Sequence, residues 1–120
     1  MKRKHHELLV WQESMALTRD IYTATVGFPR EEIYALTSQM RRAAVSVPSN
    51  IAEGAARTSI REFLQFLSIA RGSLSELETQ VILAGDFGYL NEKQPLLQRI
   101  DRTFGLLGGL IKSVEKKVSH

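Results

Sequence analysis

The sequence predicts an all-α protein, an antiparallel up-down-up-down four-helix bundle, on three observations. Apolar residues recur in steps of three and four along almost the whole chain, and no sustained alternation of period two marks a strand. The interruptions carry helix stop and start signals, as in "VGFPREE" and "GDFGYLN". The connections are only a few residues long, so consecutive helices must be antiparallel neighbours. With 120 residues, one domain spanning 1–120 is expected, its first five residues a flexible basic segment.

The first helix is expected from about His6 to Thr25, ending at Gly27 and Pro29. It carries two apolar stripes. Val10, Leu17, Ile21 and Ala24 lie on one side, and Leu8, Trp11, Met15 and Tyr22 on nearly the opposite side. A helix in a lone bundle needs one such face, so Leu8, Trp11, Met15 and Tyr22 are candidates for contact with another subunit. The same residues also read as cover for the bundle's own edge. The third helix is expected from Ser59 to about Gly85, where Ser59 and Glu62 have capping-box spacing. Its core stripe is Phe63, Ala70, Leu74, Leu77, Val81 and Ala84. The fourth is expected from about Glu92 to Val118, capped by Asn91, with Pro95 tolerated in the first turn. Its stripe is Leu97, Ile100, Phe104, Leu107, Ile111, Val114 and Val118.

The second helix, from about Glu31 to Ala56, contains "SVPSNIAEG". An interior proline costs about 3 kcal/mol and a glycine about 1 relative to alanine. The stripe Leu36, Met40, Ala43, Val47, Ile51 and Gly54 nevertheless passes through Pro48 without losing phase. The expectation is a helix that continues but is kinked at Pro48, where the carbonyl of Ala44 loses its donor. Pro48 itself falls off the core stripe. Gly54 permits a close helix approach, or else begins the C-terminal cap.

A polar stripe runs beside the apolar one: Gln39, Arg42, Ser46, Asn50, Glu53 and Arg57. The third helix offers a matching flank in Glu62, Gln65, Ser73, Glu76 and Gln80. Buried polar groups need partners, so a network between helices or subunits is expected, with Gln39, Ser46, Asn50, Glu53, Ser73 and Glu76 as its candidates. A solvated face is the alternative.

Composition excludes some chemistry. The chain has no cysteine, so disulfides, thiolate metal sites and cysteine nucleophiles are out, and a reducing cytoplasm fits. No apolar run approaches the ~20 residues of a membrane span, and the start "MKRKHHELLVWQ" has no signal-peptide core. His5 and His6 adjoin Glu7 without metal-ligand spacing, and Gly105, Gly108 and Gly109 form no phosphate loop. Glu53 and Glu76 could be paired carboxylates, yet no nucleophile and base accompany them at convincing spacing. No catalytic residue, cofactor or metal is therefore expected. The net charge of +3 permits polyanion binding. Candidates for phosphate contact are Arg41, Arg42, Arg57, Arg61, Arg71, Lys112, Lys116 and Lys117, with Lys2, Arg3 and Lys4 at the start. Acidic residues are interspersed, and no groove-reading motif or aromatic platform is visible.

The pattern of "VW" and "IY", then "FPREEIYALTSQMRRAAVSVPSNIAEG", "EFLQFLSIARGSLSELETQ" and "FGYL", closely resembles the bacterial family of four-helix bundle proteins, or 23S rRNA intervening sequence proteins. The likeness runs from about Leu9 to Leu110, and the blocks "SVPSNIAEG" and "ARGSLSELET" are distinctive together. The family is named for a genomic location, not an activity. The resemblance implies a non-enzymatic homopentamer with nucleic-acid binding, since similar proteins of diversity-generating retroelements form basic pentameric barrels that associate with a reverse transcriptase and with nucleic acid. The resulting expectation is a cytoplasmic, self-associating protein that contacts RNA or DNA. A scaffold binding a protein partner without nucleic acid is the alternative, and a hydrolase using Glu53 a remote third.

Overall fold

The computed structural model describes residues 2–118. It contains four α-helices, α1 (Leu9–Thr25), α2 (Leu36–Ala55), α3 (Ile60–Asp86) and α4 (Gln94–Val118), with 3₁₀ turns at Lys4–Glu7 and Arg30–Glu32. No strand occurs among the described residues. Each helix packs on its neighbours in sequence, and α1 also packs on α4. That is the cyclic order of an up-down-up-down bundle, here measuring 50 × 25 × 21 Å. The expected flexible segment 1–5 begins at Met1, outside the described residues; Lys4 and His5 belong to the first 3₁₀ turn.

Two helices start later than their periodicity suggests. Leu8 is extended (φ −77°, ψ 123°), so α1 begins at Leu9 and not at His6. Pro29 likewise directs a 3₁₀ turn, and Ala35 (φ −126°, ψ −108°) separates it from α2. The Glu32 carboxylate then accepts the amide of Leu36 at 3.2 Å, a cap from outside the helix. At α3 the Ser59 hydroxyl accepts the amide of Glu62 at 3.3 Å, the expected N-cap bond. Asn91 does not cap α4, which begins at Gln94 with Pro95 in its first turn.

The core contains Leu17, Ile21, Met40, Val47, Ile51, Leu67, Leu74, Leu77, Ile100 and Leu107, all but inaccessible. Burying each such aliphatic side chain contributes about 1.5–3 kcal/mol. The α4 stripe is rotated by one position at two levels: Leu96, Ile100, Thr103, Leu107, Ile111 and Val114 are buried, whereas Leu97 and Phe104 are half-buried and Val118 is exposed. The Thr103 hydroxyl can take this inner place because it donates to Arg99 O at 2.8 Å. Charge further fixes α4 against α1. Glu13, largely buried, faces Arg99 Nε at 3.6 Å and Arg102 Nε at 3.2 Å, and Asp20 meets Arg99 Nε at 3.2 Å.

Helix α2 is continuous through Pro48. Contrary to its placement off the core stripe, Pro48 is buried, as is Ala44 four residues earlier. The physical reason is that α2 lies between α1 and α3, so it buries a wider arc than one stripe. From α1, the Thr18 hydroxyl reaches Ala44 O at 3.1 Å, while also lying 2.8 Å from Ser14 O. Ala44 O is the acceptor that Pro48 cannot serve, and a neighbouring helix serves it instead. At the other end of α2, a Cβ on Gly54 would fall 2.8 Å from Phe66 Cβ and 3.0 Å from Phe63 Cδ1. The glycine therefore permits the close approach of α3.

The loops at one end are tied together. Helix α3 ends in a Schellman motif: Gly88 takes φ +80°, its amide donates to Gly85 O at 3.1 Å and that of Tyr89 to Ala84 O at 2.9 Å. Tyr89 then packs on Phe28 with ring centroids 5.5 Å apart, and its hydroxyl donates to Glu32 at 2.8 Å.

Candidate nucleic-acid interface

The α1–α2 corner forms a cleft of about 690 Å³. Tyr22 and Thr25 come from the end of α1, Arg30 and Tyr34 from the connection, and Thr37, Arg41 and Arg42 from the start of α2. The geometry of Arg41 is defined by two contacts. Its Nε donates to Thr25 Oγ1 at 2.9 Å, and its guanidinium carbon lies 4.8 Å from the Tyr22 ring centroid. No carboxylate lines the cleft, and Glu32 is occupied by Tyr89 and Leu36. That phenol–carboxylate hydrogen bond, with burial and the Glu32 and Glu31 charges behind it, holds Tyr89 above its ordinary pKa. Among the described residues, Arg30, Arg41 and Arg42 form no ion pair within 4.0 Å.

The opposite end of the α1–α2 hairpin is also basic. Arg3, Lys4 and His5 join Ala55–Thr58 around a cleft of about 540 Å³, and an adjoining one of about 270 Å³ brings Lys4, Arg57 and Lys117 together. At ~1.5 Å per helical residue, the 17-residue α1 separates the two ends by roughly 25 Å. His5 is depressed below its usual pKa, first by desolvation and then by the charges of His6 and Arg3. Arg57 differs from Arg41: it pairs with Glu53 at 3.0 Å and Glu62 at 3.7 Å and lies 5.0 Å from the Phe66 ring. Its charge is thus locally compensated. Arg61, Arg71, Lys112, Lys116 and Lys117 are exposed along α3 and α4.

The polar stripe is assembled in part. The Ser46 and Ser73 hydroxyls are 2.8 Å apart, linking α2 to α3, and Asn50 Nδ2 donates to Ser46 O at 2.8 Å and Oγ at 2.9 Å. Glu53 joins Arg57 at the surface, whereas Gln39, Arg42 and Glu76 are exposed. Gln80 is buried, with no partner for Oε1 among the described residues. Leu8, just before α1, and Trp11 on it pack against the core, and Trp11 meets the rings of His5 at 5.0 Å and His6 at 5.2 Å. Met15 is half-buried and Tyr22 exposed.

Sequence reasoning did not single out Arg30, Tyr34 or Thr37, nor the Glu13–Arg99–Arg102 contacts. A signal for the first set existed in the string "PREEIYALT", where basic, aromatic and hydroxyl residues flank a proline turn. Only folding shows that Tyr22 and Arg41 join them.

The family model described as 23S rRNA-intervening sequence protein matches residues 6–109. The chain belongs to this family. As a 23S rRNA-intervening sequence protein it is all-α with four helices, and its matched span runs from the first 3₁₀ turn deep into α4. No curated protein matches the chain closely. Among the described residues, no helix is long and apolar enough to cross a membrane.

Proposed function

We propose that this family member is a non-catalytic, self-associating protein that binds RNA or DNA through its basic surface, as a homopentamer in the bacterial cytoplasm. The observation that carries this reading is the gathering of cationic side chains at both ends of the α1–α2 hairpin, with no carboxylate lining either of the two larger clefts there. Two such regions roughly 25 Å apart can engage separate phosphates of one polyanion. Self-association multiplies the sites, and linked weak contacts then add through effective concentration. The resemblance adds a reverse transcriptase as a protein partner.

A second reading has its own support. Helix α3 exposes Ile69, Ile82 and Leu83, side chains that suit a scaffold binding a protein partner. Salt-titrated binding of structured RNA and duplex DNA separates the two: affinity that falls steeply with salt supports the first, and absence of binding at low salt supports the scaffold. Light scattering should give several subunits; a monomer at micromolar concentration removes the pentamer.

A further inference from the structure

The α1–α2 corner cleft differs from the basic region at the other end in offering exposed aromatic surface beside its guanidinium groups. Tyr34 is 97% exposed, an unusual position for a large aromatic ring. Arg41 is already oriented by Thr25 and Tyr22, so an anion meeting it would lose little side-chain freedom on binding. Thr37 lines the same cleft, and its buried hydroxyl has no hydrogen-bond partner among the described residues. A buried, unpartnered hydroxyl in a cleft wall is an uncommon cost for a protein to keep.

We infer that this cleft is a docking site for an unpaired nucleotide of a single-stranded nucleic acid: the base stacks on Tyr34, and the flanking phosphates meet Arg30, Arg41 and Arg42. Each element has a separate task. Stacking accepts any base, because every base has a π-face. Planar guanidinium groups bind phosphate in a bidentate manner and carry no sequence preference. A duplex has no free base face to offer Tyr34, so the cleft distinguishes single strands from paired ones. The inference rests on the proposed nucleic-acid binding and assigns to it a place and a strand preference.

The test measures fluorescence anisotropy of a labelled oligouridylate, about a dozen nucleotides long to match the usual reach of single-strand binders, and of a duplex of the same length. The proteins are the full chain, Tyr34→Ala, Tyr34→Phe, Arg42→Gln and, from the opposite end, Lys117→Gln. Tyr34 and Arg42 are exposed, so these variants should fold, which circular dichroism checks. Tyr34→Ala should bind the oligouridylate about tenfold more weakly, Tyr34→Phe within about twofold of the parent, and neither should change duplex binding. Arg42→Gln should weaken the oligouridylate more than Lys117→Gln does. If the parent binds nucleic acid but Tyr34→Ala and Arg42→Gln match it on the single strand, or if only the duplex binds, the cleft assignment is wrong and the broader function stands. If the parent binds neither probe at low salt, both are wrong.

Discussion

Thr18 and Pro48 should be energetically coupled although they lie on different helices. Pro48 leaves Ala44 O without its intrahelical donor, and the Thr18 hydroxyl occupies that acceptor at 3.1 Å. Ala44 is 1% exposed, so water cannot replace a lost donor there. Thr18→Val keeps the shape and removes the hydroxyl, leaving a buried carbonyl unsatisfied at about 1–3 kcal/mol. In the background of Pro48→Ala the new amide serves Ala44 O, and Thr18→Val should then cost only a few tenths. The single hydroxyl proton is shared with Ser14 O at 2.8 Å, and that contact is lost in both backgrounds and cancels. A double-mutant cycle by chemical denaturation, at one protein concentration, should therefore give a coupling of about 1–2 kcal/mol, seen thermally as a few degrees. A coupling below about 0.5 kcal/mol, within which independent sites add, would mean that the Thr18 hydroxyl does not stand in for the amide missing at Pro48.

Gly54→Ala should destabilise the bundle by about 1 kcal/mol, because the clash with Phe66 and Phe63 outweighs the ~1 kcal/mol gained in helix propensity; a raised melting temperature would contradict this. Asn50→Ala should lower the melting temperature by a few degrees through its part-buried bonds to Ser46. Glu53→Ala should change it little, since its Arg57 pair is exposed. For Tyr89 the pKa is raised from 10.0, so the bond to Glu32 stabilises below that pH and is lost as pH rises through the higher folded value. Alkaline unfolding curves should show that loss in the parent and lack it in Tyr89→Phe.

The helices were legible because their cores repeat in steps of three and four, and the Met40–Val47–Ile51 seam survives its proline. Helix starts were less so. Leu8 and Ala35 adopt non-helical backbone although their neighbours keep the period, and periodicity does not report where a chain turns. On α4, a one-position rotation exchanges Phe104 for Thr103 inside the core, which a hydrophobicity pattern cannot anticipate when threonine bonds its own helix. With Pro48 buried, Ala44 O takes its donor from a hydroxyl on α1, 26 positions before Ala44. The basic residues were visible one by one, but their grouping was not. Arg41 and Arg57 stood side by side as candidates for phosphate contact, whereas folding commits Arg57 to two carboxylates and joins Arg41 to Tyr22 and Thr25.

The most direct test of nucleic-acid binding by the two basic ends is the slope of log affinity against log salt for structured RNA, compared between the parent and Arg42→Gln/Lys117→Gln. The parent should show a steep negative slope, and the double variant one shallower by about two, roughly one for each phosphate contact removed. A slope near zero in the parent, or an identical slope in the variant, would mean that the two basic ends do not bind phosphate.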